Sequence, residues 1–312
     1  MPLHLVPTSR RRFLQTTLVG STAWLASTAL DAAESNDQDA WWAFLADPHI
    51  AADPMATARG ITMFDCLNGI VDEILAARSQ PAGVIINGDC AFSKGLAEDY
   101  VTLSKALQRL VEAGIDVHMT MGNHDDRGPF YDAFQSQRPS QPLVEGKHVS
   151  ILKSPNMNLF LVDSLMEVNN VTGEIGQLQL DWLANALDAH RETPAIVLGH
   201  HNFQAAAVDP QTRITGLNDS QKLLDVLTAR PHVQAYVFGH THNWNIALGP
   251  RDLHLVNLPP CSYVFDPSRP HGWVRVQFGA DRLALELRAL DPTHAQHGQR
   301  HELHYSLAAT TP

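Results

Sequence analysis

Basic residues are scarce in this sequence: 22 Lys plus Arg stand against 33 Asp plus Glu, a formal net charge of −11 over 312 residues. A chain without a basic excess has no broad face with which to displace counterions from a phosphate backbone, which argues against a general nucleic-acid binder. Cysteine is scarce too. Cys66, Cys90 and Cys261 are odd in number and lack zinc-type pairing, so no disulfide framework can be read, although one bridge plus one free thiol stays open. Charged residues are only 18% and aromatics 7%, but a hydrophobic content of 44% excludes a disordered chain. Internal repeats, low-complexity tracts and long apolar runs are all missing. What is plentiful is histidine, 17 in all. Imidazole is the commonest metal ligand and titrates near neutrality, so the placement of these residues decides their meaning.

The first forty residues read as an address. Ser9-Arg10-Arg11-Arg12-Phe13-Leu14 precedes a weakly apolar run from Leu18 to Leu30, and no acidic residue appears before Asp31. This resembles a twin-arginine export signal, with Gln15 where Lys is often found. The run is broken by Gly20, Ser21 and Thr22, too polar and too short for a spanning helix. Residues 1–33 are therefore expected to be the signal and cleavage region, with 34–39 a polar leader, which predicts a periplasmic or extracellular protein handled by the twin-arginine machinery. An Arg-rich transit peptide or a disordered tail are the competing readings.

From residue 40 to about 290, short apolar runs alternate with amphipathic stretches, the pattern of a layered α/β domain. Strands are expected at Trp41–Leu45, Val84–Ile86, Val117–Met121, Leu159–Val162, Ala195–Leu198 and Ala235–Phe238. Helices are expected at Ile61–Arg78, Tyr100–Ala113, Leu178–Ala189 and Gln221–Ala229. Several strands without helices should follow Trp244, and residues 291–312 read as a polar, His-rich tail.

Five of these strands end in metal-capable side chains: Asp47-Pro48-His49, Gly88-Asp89, Gly122-Asn123-His124-Asp125, Gly199-His200-His201 and Gly239-His240-Thr241-His242. Sites in open α/β sheets form outside the carboxyl ends of strands, so five such ends can meet at one place. Each cluster alone is weak, because a lone Gly-Asp is usually a turn. Their occurrence in order, each after an apolar strand, is not a chance pattern.

Together the five blocks resemble the signatures of the calcineurin-like metallophosphoesterases, over residues ~41–265. The resemblance implies a four-layer αββα sandwich of two mixed sheets flanked by helices. It implies that Asp47, His49 and His242 bind one metal ion, that Asn123, His200 and His240 bind a second, and that Asp89 bridges them. Two cations about 3.5–4 Å apart hold a hydroxide for attack on phosphorus and draw in phosphoryl oxygens. Mixed N/O donors suit Fe, Mn, Zn or Co without choosing among them. His124 is expected off the metals as the acid that assists the leaving group. Asn123 is a candidate for touching substrate phosphate, His201 for the same or equally for packing, and Asp125 for local orientation.

Phe92 stands where the purple acid phosphatases carry an iron-binding Tyr and the Ser/Thr protein phosphatases an Asp, and Ser93 replaces the phosphate-clamping Arg of the latter. The run Gly88–Gly95 through Tyr100, with Gly122–Arg127, looks instead like the bacterial cyclic-nucleotide and glycerophosphodiester phosphodiesterases. A small phosphodiester is thus the expected substrate, with a phosphomonoesterase or a non-catalytic scaffold as alternatives. Cys90 reads as structural. The Asn257–Tyr263 stretch reads first as a packed loop, with Cys261 and Tyr263 as candidates for shaping access. His301-Glu302-Leu303-His304 lacks one residue of a zinc-protease helix motif and is set aside.

Overall fold

The computed structural model describes residues 40–204 and 213–305. The expected export signal, the leader and the last seven residues of the expected tail lie outside the described residues. Among the described residues fourteen strands and five α-helices follow in chain order: β1 (Trp41–Leu45), β2 (Thr57–Ala58), β3 (Ile61–Thr62), α1 (Met63–Leu75), β4 (Gly83–Asn87), α2 (Ala97–Glu112), β5 (Val117–Thr120), α3 (Arg127–Ala133), β6 (Ser150–Ser154), β7 (Met157–Leu161), α4 (Gln177–Ala189), β8 (Ala195–Leu198), α5 (Ser220–Thr228), β9 (Val233–Phe238), β10 (Asn245–Leu248), β11 (His254–Asn257), β12 (Gly272–Phe278), β13 (Arg282–Ala289) and β14 (Arg300–His304).

Two six-stranded mixed sheets carry the fold, in the orders β14-β13-β12-β1-β4-β5 and β10-β11-β9-β8-β7-β6. Strands β1, β4 and β5 run parallel to one another, as do β7, β8, β9 and β11. Strand β1 shows why the layers form. Successive side chains point to opposite faces, so Trp41, Ala43 and Leu45 pack under α1 and α2 while Trp42 and Phe44 face the second sheet. That second sheet offers Leu159, Leu161, Ile196 and Val237 inward, and Phe160, Val162 and Val197 outward beneath α4 and α5. Strands buried on both faces are mostly apolar, and β1, β4, β7 and β8 have no exposed residue. The expected four layers are therefore present.

Two elements add to the expected ones and one expectation needs correction. Residues 127–133 form a short helix. Pro129 sits in its first turn, where a missing N–H costs nothing, and Asp126 caps it by accepting from Gly128 N at 2.9 Å. Ser150–Ser154 is an antiparallel partner of β7. The tail expected from residue 291 is not a tail as far as Tyr305: Arg300–His304 pairs antiparallel with β13. In that strand Leu303 is buried while Glu302 and His304 are exposed, an alternation of period two that gives the local histidines no common helix face. Among the described residues no helix is long and apolar enough to cross a membrane.

Candidate metal centre

The ends of β1, β4, β5, β8 and β9 converge where the two sheets meet, and all seven expected ligands lie there. Asn87, the last residue of β4, ties the sheets together. Its amide donates to Gly199 O at 3.1 Å and Val237 O at 3.3 Å, and its Oδ1 accepts from Thr120 Oγ1 at 2.7 Å. Backbone bonds from Asp47 N to Gly88 O and from His49 N to Asp89 O lock the first two loops in register. The chain is bent hard to do this. Asp47, His49, Asp89, His240 and His242 all have φ between 49° and 66°, a left-handed conformation that L-residues avoid and that concentrates at functional sites. A Cβ on Gly122 would collide with the Asp89 carboxylate and one on Gly239 with that of Asp47, so these loops close only with glycine there.

Three overlapping groups of donors result: Asp47, His49 and His242; Asp89, His200 and His240; and His49, Asp89 and His124. Within each group the donor atoms lie within 4.8 Å of one another. Asp89 takes part in two of them; its Oδ2 is 3.2 Å from His200 Nε2 and 3.6 Å from His49 Nε2.

The histidine tautomers test whether cations fit. His49 Nδ1 lies 3.2 Å from Phe92 O and His242 Nδ1 lies 2.6 Å from Tyr263 O. A carbonyl oxygen only accepts, so both Nδ1 atoms carry hydrogen and both Nε2 atoms present lone pairs. Yet the two Nε2 atoms stand 3.0 Å apart. No neutral tautomer pair satisfies all three contacts, whereas a cation beside both nitrogens does. In the same way His200 Nδ1 donates to Asn87 O at 2.8 Å, freeing Nε2, and His240 Nε2 donates to Thr215 O at 2.6 Å, freeing Nδ1. The buried Asn123 Oδ1 has no hydrogen-bond partner among the described residues. These donors fit N/O-ligated metal ions.

Charge tells the same story. Burial first, and then the coulombic pressure of Asp89, push the Asp47 carboxyl up to about 7 against the pull of His200. Asp89 is buried as well, but His200 and His49 overcome that and hold it well below the usual carboxylate range. Burial lowers His49 to about 3, and His240 and His242 to about 4. At His200 burial is outweighed by Asp89 and Asp47, which raise it to about 10. Burial thus works against charge on the carboxyls and the imidazoles alike, a conflict that a bound cation offsets.

His124 stands at the edge of the cluster, half-buried. Its Nδ1 donates to Ser93 O at 2.7 Å, its backbone N donates to Asp89 Oδ1 at 2.9 Å, and its ring meets that of His49 edge-on at 5.3 Å. His201 does not line the cleft; of its two readings, packing is the one its position fits. It is fully buried, its Nδ1 is 2.7 Å from Ser164 Oγ, and its ring is packed against His200, His240 and Gly173. Asn123 does line the cleft, a cavity of about 450 Å³.

Several residues of the site take more definite roles here than the sequence alone gives them. Asp125, fully buried, accepts from Cys90 N, Ala91 N, Gly122 N and Tyr100 Oη, and so clamps the Asp89 loop to the Asn123-His124 loop. The Gly-Asn-His-Asp block carried that signal, and the Tyr100 spacing is its second half. Tyr263 lies over His49 and His242 at 5.2 and 4.7 Å, so this loop walls the cleft rather than merely packing. Cys90 and Cys261 are buried free thiols whose pKa values burial pushes up, in keeping with a structural role.

A family model described as calcineurin-like phosphoesterase matches residues 42–244. A probable cyclic nucleotide phosphodiesterase of Synechococcus sp. strain WH7803 is 27% identical over 72% of this chain and 84% of its own length. A 3′,5′-cyclic adenosine monophosphate phosphodiesterase of Pseudomonas aeruginosa is 28% identical over 79% of this chain and 83% of its own. Among solved structures, a dimetal phosphatase from Danio rerio superposes with a TM-score of 0.64 at 17% identity, covering 86% of this chain and 99% of that one.

Proposed function

The chain belongs to the calcineurin-like phosphoesterase family, a phosphoester hydrolase by that membership, and on that premise we propose that it cleaves a small phosphodiester at a centre of two metal ions. The observation that carries the reading is the opposition of His49 Nε2 and His242 Nε2 at 3.0 Å, which a cation relieves. Asp47, His49 and His242 would hold one ion, Asn123, His200 and His240 the other, with Asp89 shared between them. Bound there, such ions activate water near neutral pH and offset the charge of the phosphoryl oxygens.

The chain's own residues supply the rest. The carbonyls of Phe92, Asn87, Tyr263 and Thr215 fix which nitrogen each imidazole turns to the centre. Asp125 keeps the Asp89 and Asn123 loops at fixed separation. His124, anchored through Nδ1 to Ser93 O, turns Nε2 to the cleft and in its cationic form gives that proton to the departing alkoxide. A diester is favoured over a monoester by the relatives named for cyclic nucleotides and by Phe92, which removes the iron-binding Tyr position of purple acid phosphatases. Mn, Fe, Zn and Co all suit the donor set.

Purified protein reconstituted with Mn²⁺ and assayed on bis-p-nitrophenyl phosphate against p-nitrophenyl phosphate tests this. We expect the diester to be the better substrate, close to two metal equivalents per chain, and loss of both metal and turnover in Asp89→Ala. Monoester turnover far above diester turnover would reverse the substrate class. We further propose export by the twin-arginine route, supported by Ser9-Arg10-Arg11-Arg12-Phe13-Leu14; Arg10→Lys with Arg11→Lys should abolish export, and unchanged export would sink it.

A further inference from the structure

A second cavity, of about 290 Å³, opens beside the metal cleft and shares Tyr263 and Phe265 with it. Its walls are largely apolar, including Ile61, Val264, Pro267 and Pro270. Two features set it apart from an ordinary surface hollow. Phe265 is 54% exposed although its ring lies 4.6 Å from that of His242, so a large apolar side chain is left in water at the rim of the site. The second feature is Arg59. Its guanidinium sits 4.7 Å over the Phe265 ring and forms no ion pair with a carboxylate among the described residues.

Arg59 is not there by accident of a long side chain. It occupies the turn of the β2–β3 hairpin with Gly60, at φ 51° and 79°, the paired positive values of a tight hairpin turn. The hairpin is only two residues long on each side, and it fixes the backbone from which the guanidinium reaches Phe265. Five N–H donors in a rigid plane beside an exposed aromatic ring match one class of ligand: a flat aromatic ring that carries hydrogen-bond acceptors on its edge. The metal cleft itself is lined mainly by polar side chains, among them Asn169, Asn202, Arg213 and Thr215. The two arms of a diester bound at the centre therefore meet unlike walls.

We propose that the Arg59–Phe265 cavity is the subsite for an aromatic arm of the phosphoester, a nucleobase-like ring, and that these two residues set specificity. The assignment rests on the phosphodiesterase reading above, since it places the phosphoryl group at the metal cleft and one ester arm beside it. Cavity volume agrees: at the lower end of the roughly 300–1,000 Å³ typical of ligand pockets, it holds one ring system.

Equilibrium calorimetry on full-length, Mn²⁺-loaded protein tests it with two probes that differ only in the base, adenosine 5′-monophosphate and ribose 5-phosphate. Wild type should bind the nucleotide tighter by roughly tenfold or more, the scale of one base–aromatic stack. Phe265→Ala and Arg59→Asn, the latter chosen because Asn accepts a positive φ, should each bring the ratio of the two affinities close to one. Phe265→Trp should keep it. Equal binding of the probes by wild type, or an unchanged ratio in both Phe265→Ala and Arg59→Asn, overturns the subsite. Hydrolysis of bis-p-nitrophenyl phosphate by wild type is read in parallel. Turnover without base preference removes only the subsite, and base preference without turnover removes only the catalytic reading.

Discussion

At the scale of single residues, His124 and the metal-facing histidines share one device, and most of the latter, His240 apart, are more deeply buried. Each has a ring nitrogen tied to a backbone carbonyl, but His124 is half-buried where His49 and His200 are sealed. A proton donor needs that access and a ligand does not. His124→Ala should lower kcat by about 10²–10⁴-fold, the usual contribution of a positioned acid, while metal content stays at the wild-type level. The loss should be larger for an alkyl ester than for a p-nitrophenyl ester, whose leaving group needs less protonation; steady-state assays with both esters and metal analysis check this. Residue identity at this scale was legible in the sequence, because Asp, Asn and His after apolar strands carry their chemistry with them. The exception is His201, for which the sequence leaves substrate contact and packing equally open. Its ring turns into the core to meet Ser164 and Gly173, residues of the loop after β7.

At the scale of elements, two carboxylates that bind no substrate hold the site's loops. Asp125 joins the ends of β4 and β5 through three backbone N–H groups and the Tyr100 hydroxyl. Asp125→Asn replaces one acceptor by a donor facing those N–H groups. It should cost about 1–3 kcal/mol in urea unfolding and weaken metal binding by about 10–100-fold in a chelator competition. Asp163, fully buried after β7, receives Arg127 of α3 through two bonds of 2.7 Å and the backbone N of His148 at 2.7 Å. Arg127→Ala leaves that carboxylate without its counter-charge and should destabilise the fold by about 3 kcal/mol, measured by the same unfolding experiment. Strands and helices with full periodicity were readable in advance. Helix α3 and strand β14 were not, because seven residues with Gly128 and Pro129, and five with two histidines, carry too little pattern of their own; packing beside α2 and pairing with β13 make them.

At the scale of the whole molecule, the histidine surplus affects stability as well as chemistry. His118, His148 and His232 lie far from the metal centre in role, and burial lowers the pKa of each. His148 shows the cause: its Nε2 donates to Met119 O at 3.0 Å, so its Nδ1 must stay unprotonated to accept from Tyr131 Oη at 2.8 Å. A lowered folded pKa means the unfolded chain takes the proton first. The stability these rings contribute is full above about 6.5, the ordinary histidine value, and is lost as pH falls below it towards the lowered folded values. Thermal unfolding of the protein as pH falls from about one unit above to about one unit below that value should show a falling Tm, and His148→Gln should make the slope shallower by the share of one proton. An unchanged slope in that variant would remove His148 from the account. The sequence by itself determined the layers and the order and type of the metal-capable donors, because both are local: an apolar strand, then a turn, then a polar side chain. Only the tertiary structure decided which nitrogen each imidazole presents, that His201 is sealed away, and that Tyr263 and Phe265 wall the cleft with Arg59 in the cavity beside it. The reason is distance along the chain. The carbonyls that set the tautomers of His242, His240, His49 and His200 come from residues 21, 25, 43 and 113 positions away, and no local pattern encodes contacts of that kind.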